Sequence, residues 1–204
     1  MYSNIKRVLD FFTAAMGLSI TLPLLILISL GIKLDSKGSI LYRSERVGKG
    51  GSRIEVLKFR TMVQNADQIG GASTADDDPR ITRAGKYLRR FNLDELPQLI
   101  NVLKGEMSIV GPRPEVPEEV ETYSEEEKGI LSVKPGMTDY ASIEFNNEGE
   151  ILKGSDNPHQ TYREEIRPEK IRLARKYVQE QSIWVDLKII AKTLVNIFKR
   201  SSLN

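Results

Sequence analysis

The chain has 204 residues, with 30 Lys and Arg against 28 Asp and Glu, one His and no Cys. That length holds one domain with a core, or one domain plus a membrane element, rather than two globular domains. Absence of Cys removes disulfides, thiolate metal sites and thiol nucleophiles, and His159 alone argues against a His-based zinc site or a Ser-His triad, which leaves carboxylates, Lys, Arg and an oxygen-bound metal.

The formal charge of +2 is uneven: basic residues concentrate in 80–90 and near the C-terminus, while 115–127 is acidic. Residues 11–32, FFTAAMGLSITLPLLILISLGI, carry no charge, and about 20 such residues cross the hydrocarbon layer as a helix. The stretch is too long for a cleaved signal, and no small-residue cleavage site follows it. It therefore reads as a membrane segment. Pro23 removes one helical hydrogen bond and restricts Leu22, which predicts a bend there, with Ser19 or Thr21 re-satisfying freed backbone groups. Lys6 and Arg7 precede the segment, and Lys33 and Lys37 follow it. If positive charge stays cytoplasmic, both ends prefer one side and a bent segment dips in and returns; hydropathy alone equally allows a crossing.

Residues 40–60, ILYRSERVGKGGSRIEVLKFR, predict two strands joined by a Gly-rich turn. GKGG lacks the spacing and the following Ser or Thr of a phosphate loop. TADDDPR at 74–80 reads as a solvated loop, with a metal role for one of its aspartates as the other option. ITRAGKYLRRF then places Ile81, Ala84, Leu88 and Phe91 on one helical face, with Arg83, Lys86, Arg89 and Arg90 around it. That face suits either a membrane interface or the protein core.

NLDELPQL at 92–99 sets two acids side by side. Pro97 belongs in a first helical turn, which makes Asp94 the expected N-cap of a helix carrying Leu96, Leu99, Ile100 and Leu103, with Gly105 at its left-handed end. GPRP at 111–114 encloses Arg113 between two prolines, so a guanidinium fork that suits phosphate is held at low entropic cost; an idle surface turn is the alternative. KPGMTD at 134–139 reads as a Pro-Gly turn carrying Lys134 and Asp139. SIWVDLKIIAKTLVNIFKR repeats the amphipathic pattern, with Trp184 at its start and Lys188, Lys192, Lys199 and Arg200 on the polar side. The basic helices are strongly apolar on their other face and no nucleic-acid module is present, so no nucleic-acid partner is expected.

In this order KRVLD, the Pro-broken segment, KFRTM, LDELPQLINVLKGEMSIVGPRP and KPGMTDY resemble the bacterial sugar transferases called monotopic phosphoglycosyl transferases, over essentially the whole chain and in the family's minimal form. The resemblance implies an α+β, mainly helical fold: a Pro-broken re-entrant membrane helix in residues 1–36, then a cytoplasmic catalytic domain in 37–204 with a small β-hairpin and amphipathic interfacial helices. It implies transfer of a phosphosugar from a UDP-sugar to undecaprenyl phosphate on the cytoplasmic face of the bacterial inner membrane, with release of UMP. This is the first membrane step of a surface glycan or glycoconjugate pathway, with inner-membrane phospholipid and downstream glycosyltransferases as further partners. Magnesium is the implied cofactor, on Asp94 and Glu95. Asp94 takes the position of the nucleophile and Glu95 that of its dyad partner, while Arg113, Arg89, Lys58 and Arg60 fall at phosphate-handling or nucleotide-sugar-binding positions. Glu106 and Asp139 depart from the Asp and Gly that many members carry.

The chemistry agrees with those residue types. A carboxylate nucleophile splits phosphoryl transfer into two steps through an acyl phosphate, and a helix N-terminus would keep Asp94 ionised. Two other classes compete. A non-catalytic membrane-anchored module would use the basic helices to hold anionic lipid or a partner, with Asp94 only a cap. A carboxylate-pair hydrolase needs two acids facing each other roughly 5–10 Å apart, and adjacent residues at a helix start diverge.

Overall fold

The N-terminal element of the computed structural model, which describes residues 2–66, 75, 77–145 and 148–202 apart from the side chains of 198 and 200–202, is a 34-residue helix, α1 (Tyr2–Asp35). It continues through Pro23, so the expected break is not an interruption of the helix. The hydroxyls of Ser19 and Thr21 do not take up the freed group: Ser19 Oγ donates to the Ala15 carbonyl at 2.9 Å and Thr21 Oγ1 to that of Gly17 at 2.7 Å. Proline at 23 lacks the N–H that would reach the carbonyl four residues back, on Ser19. One missing bond leaves the flanking turns intact.

One face of α1 is core. Ala14 and Leu18 pack with Val56, Leu99, Val102 and Met107, while Leu25, Ile28 and Ile32 pack with Phe59, Leu88 and Leu93. Both ends are pinned by polar contacts as well. Arg7 donates to the carbonyls of Val102 and Leu103 (2.6 and 2.8 Å), Asp10 accepts from the Ile109 amide (3.1 Å), and Asp35 accepts from that of Ala84 (3.1 Å). The opposite face exposes Phe12, Met16, Ile20, Leu27 and Leu30 along its length, and only 6% of its most apolar 18-residue window is buried. Exposed apolar surface on that scale marks a membrane-associating element.

The expected hairpin is present. β1 (Leu41–Val47) and β2 (Arg53–Phe59) pair antiparallel from Leu41↔Phe59 to Val47↔Arg53. They are joined through Gly50 and Gly51, whose φ values of 68° and 81° explain the glycines. Ile81 does not start the next helix but bridges Met62, and Thr82 caps α2 (Arg83–Arg90) by accepting from the Gly85 amide at 3.0 Å. Leu88 is buried against Ile32 and Phe59, so this face of α2 rests on the core, while Tyr87 points outward. Asp78 of the 74–80 loop is chelated by Arg80, whose Nη2 lies 2.6 Å away, and is thereby spoken for; Asp76 lies outside the described residues.

α3 (Gln98–Lys104) ends at Gly105 with φ 85°, as its sequence predicts. β3 (Ser108–Val110) then leads to α4 (Pro117–Glu121) and to β4 (Gly136–Thr138). KPGMTD is thus more than a turn: its second half is a strand pairing parallel with β3, Ser108↔Gly136 and Val110↔Thr138. α5 (Tyr140–Glu144), α6 (Glu148–Ile151), α7 (Pro158–Thr161), a π-helical turn at Tyr162–Ile166 and α8 (Arg167–Glu180) complete the body. α9 (Ile183–Ser202) buries Ile189 against Val110 and Tyr177 and leaves Trp184, Leu187, Leu194 and Val195 exposed. The fold is mostly helical, with one long apolar helix and one small hairpin.

Candidate active site

Asp94 and Glu95 lie in a 3-10 turn, Leu93–Glu95, preceded by Asn92 in the left-handed region at φ 53°. Asp94 is therefore not the N-cap of α3. Because Pro97 offers no N–H to the Leu93 carbonyl, that carbonyl is met by the Leu96 amide at 3.3 Å, and the chain runs through one 3-10 turn before regular helix begins at Gln98. The packing of Leu93 with Leu25, Ile28 and Ile32 of α1 sets this turn beside that helix.

The two acids have opposite surroundings. Glu95 Oε1 accepts from Lys58 Nζ at 2.8 Å and from Arg113 Nη2 at 2.5 Å, and Oε2 faces Arg113 Nη1 at 3.4 Å. Burial pushes this carboxyl up, but Arg113 and then Lys58 outweigh it and hold Glu95 well below the usual carboxylate range. Asp94 is 8% exposed, and among the described residues nothing donates a hydrogen bond to its carboxylate. Burial, and then the Glu95 charge, raise its pKa, while Lys58, Arg89 and Arg113 pull the other way. The expected stabilisation by a helix terminus is thus replaced by a contest between desolvation and three cations.

Three of the four basic residues singled out in the sequence surround this pair. Lys58 arrives on β2 and Arg113 from the GPRP loop, and both touch Glu95. Arg89, at the end of α2, donates from Nε to Thr61 Oγ1 at 3.0 Å and lies within the field of Asp94. Arg60 does not join them. Its buried guanidinium donates to the carbonyls of Ser36, at 2.9 Å, and Lys37, just past α1, where cations complement the carbonyl end of a helix. β2 ends at Phe59, so Arg60 lies just past the strand that carries Lys58, and its own amide donates to the Ile40 carbonyl at 2.9 Å beside the end of α1.

Asp139 escaped the sequence reading as part of this assembly. It is 1% exposed; Oδ1 caps α5 by accepting from Ser142 N at 2.7 Å, and Oδ2 accepts from the Arg113 amide at 3.2 Å. The available signal was an Asp immediately before YASIE, an N-cap pattern. Gly111 N to Thr138 O (3.1 Å) and Gly136 N to Pro112 O (2.9 Å) tie the same loop to β4. A Cβ on Gly136 would meet the Gly111 amide nitrogen at 2.1 Å, so this approach requires glycine.

Among the described residues no group of three or more acids or histidines is arranged to hold a metal. Magnesium is commonly held by one or two carboxylates together with waters and substrate phosphates, so a full protein cage is not needed. Among the described residues Asp94 accepts no hydrogen bond and Glu95 Oε2 meets Arg113 Nη1 at 3.4 Å, and both carboxylates fit that donor set.

The sequence matches the bacterial sugar transferase family over residues 1–200. It is 38% identical to a protein of Caulobacter vibrioides named UDP-glucose:undecaprenyl-phosphate glucose-1-phosphate transferase, over 94% of this chain and 69% of that relative. A protein of the same name from Escherichia coli K12 is 37% identical, over 95% of this chain and 40% of its own length. UDP-N-acetylgalactosamine-undecaprenyl-phosphate N-acetylgalactosaminephosphotransferase of Aeromonas hydrophila is 34% identical, over 97% and 44%. The chain thus spans less than half of the last two.

Proposed function

The chain belongs to the bacterial sugar transferase family, and from that premise we propose that it transfers a phosphosugar from a UDP-sugar to undecaprenyl phosphate by a ping-pong route through Asp94. In the first step an Asp94 oxygen attacks the β-phosphorus of the UDP-sugar. The bond from that phosphorus to the bridging oxygen breaks, and UMP leaves with the electron pair. In the second, a phosphate oxygen of undecaprenyl phosphate attacks the aspartyl-phosphosugar, the bond to Asp94 breaks and the carboxylate is restored. The product is undecaprenyl-diphosphate-sugar, the starting material for downstream glycosyltransferases.

The observation that carries this reading is the asymmetry of the pair. Glu95 is held through Oε1 by Lys58 and Arg113, while Asp94 beside it has, among the described residues, no hydrogen-bond partner to lose before it attacks. Arg113, Lys58 and Arg89 supply positive charge where a carboxylate must approach a diphosphate, and fixed cations aimed at developing charge are the main resource of phosphoryl-transfer sites. Asp94 and Glu95 would hold magnesium, which when bound adds further positive charge against the phosphate oxygens.

The placement of the turn against α1 supports a lipid phosphate as the second substrate. Both ends of α1 are pinned to one body while its outer face stays apolar. That arrangement supports a segment entering and leaving the bilayer on the same side, the cytoplasmic face of the inner membrane, with α9 and its exposed Trp184 at the phospholipid interface. Asp94→Asn is expected to abolish both UMP release and any labelled covalent adduct from UDP-sugar. Full turnover in that variant would end the proposal in favour of a non-catalytic lipid- or partner-binding module. A panel of UDP-sugars in the same assay identifies the sugar.

A further inference from the structure

In an antiparallel pair, directly opposed residues share a face. Tyr42↔Lys58, Ser44↔Val56 and Arg46↔Ile54 are therefore on one side of the hairpin. This side is turned toward the site, since Lys58 reaches Glu95 and Val56 enters the core with Leu99. Arg46 stands on it four residues from the Tyr42–Lys58 rung, about 13 Å along the strand. The end of β1 is joined to the segment bearing Arg113, because Val47 N donates to the Glu115 carbonyl at 2.9 Å.

Arg46 is half-buried and incompletely used. Nε donates to Ser44 Oγ at 2.9 Å, and among the described residues its two terminal nitrogens make neither a hydrogen bond nor an ion pair. Glu115, the acid whose charge acts most on Arg46, already accepts from Tyr162 Oη at 3.1 Å. Desolvation depresses the Arg46 pKa, Glu115 opposes that, and Arg113, a like charge, adds to the depression. Four N–H groups in a planar fork, within the field of a second guanidinium, are set for an anion that is not part of the protein.

We propose that Arg46 is a second anion-binding residue of the donor site, receiving the phosphate of the departing nucleoside monophosphate while Lys58 and Arg113 attend the reacting phosphate. This assignment rests on the UDP-sugar reading above. Two linked phosphates need cations at two points: Lys58 and Arg46 share one face of the hairpin, and the charge of Arg113, which holds Glu95 together with Lys58, also acts on Arg46. The role is binding and positioning of the leaving group, with no additional covalent step.

Titration calorimetry on the full chain in lipid nanodiscs tests this with UDP and inorganic pyrophosphate, neither of which has a sugar to transfer. Arg46→Gln is expected to weaken UDP and pyrophosphate about tenfold or more, with a thermal midpoint within about 2 °C of the parent. Arg46→Lys, which keeps the charge but not the fork, is expected to weaken both about threefold. If Arg46→Gln fails to fold, Arg46→Lys decides, and parental affinity in it overturns the inference. Unchanged UDP affinity in Arg46→Gln also overturns the inference and leaves the UDP-sugar reading standing. Pyrophosphate binding that depends on Arg46, with no UDP binding by the parent, upholds the anion site and ends the UDP-sugar reading instead.

Discussion

Replacing Lys58 by Met removes one of the two cations on Glu95 while keeping most of the aliphatic bulk. Lys58 Nζ lies 2.8 Å from Glu95 Oε1, and the two side chains are 22% and 17% exposed, so the pair is partly screened from water. Loss of a hydrogen bond to a charged group in that setting costs about 1.5–3 kcal/mol, or roughly 3–12 °C in thermal midpoint for a chain of this size. The sign of the pH dependence is fixed by the depressed pKa of Glu95. Its contribution is fully present above the unfolded value of 4.5 and is lost as pH falls through the lower folded value, so parent and variant should differ most at pH 6–8 and converge in acid. Lys58 also lowers the Asp94 pKa, so its removal leaves Asp94 protonated to a higher pH, and the acid limb of the kcat/KM profile should move upward. Differential scanning fluorimetry at fixed scan rate and UMP release across pH measure the two effects. An unchanged midpoint at pH 7.5 together with an unchanged acid limb would refute the electrostatic account of the pair.

Asn101, 0% exposed, accepts from Leu57 N at 3.0 Å and donates to the Glu55 carbonyl at 2.7 Å, so Asn101→Ala leaves two backbone groups of β2 unpaired. It should cost about 2–4 kcal/mol, read as a lower midpoint with faster hydrogen exchange along β2. Arg60→Gln should lower the midpoint through the α1 carbonyls it no longer satisfies, yet leave KM for the UDP-sugar within about twofold of the parent; a KM rise above tenfold in a folded variant would put Arg60 back in the donor site.

Local chemistry was legible wherever one segment carried the whole signal. The period-2 pattern around GKGG yielded the hairpin, and Gly105 yielded the end of α3, because each depends on a few adjacent residues. Asp94 misled the reading because its N-cap pattern was intact while Pro97, three residues on, favoured a 3-10 turn over an earlier start of the helix. Arg60 could not be separated from Lys58 by motif alone; alternation would give the two one face, and only the end of β2 at Phe59 and the carbonyls past α1 show that Arg60 leaves it. The parallel pairing of Ser108–Val110 with Gly136–Thr138 joins segments about 28 residues apart and has no local signature. Asp139 meets the Arg113 amide through that long-range pairing, so its place in the assembly around Glu95 had no local signature.

Arg7 closes on the last carbonyls of α3, Ala14 and Leu18 fill the groove beside Leu99, and Ile28 and Ile32 rest on Leu93, one residue before Asp94. On the reaction proposed above, the thickness of a surrounding bilayer would be a mechanical input to the turn that bears Asp94. A mismatch between hydrocarbon depth and helix costs fractions of a kcal/mol per Å, and here any tilt that relieves it must rearrange contacts that also shape residues 93–95. Lipid chain length would then be a setting on the proposed turnover, applied through the same helix that carries the exposed apolar face.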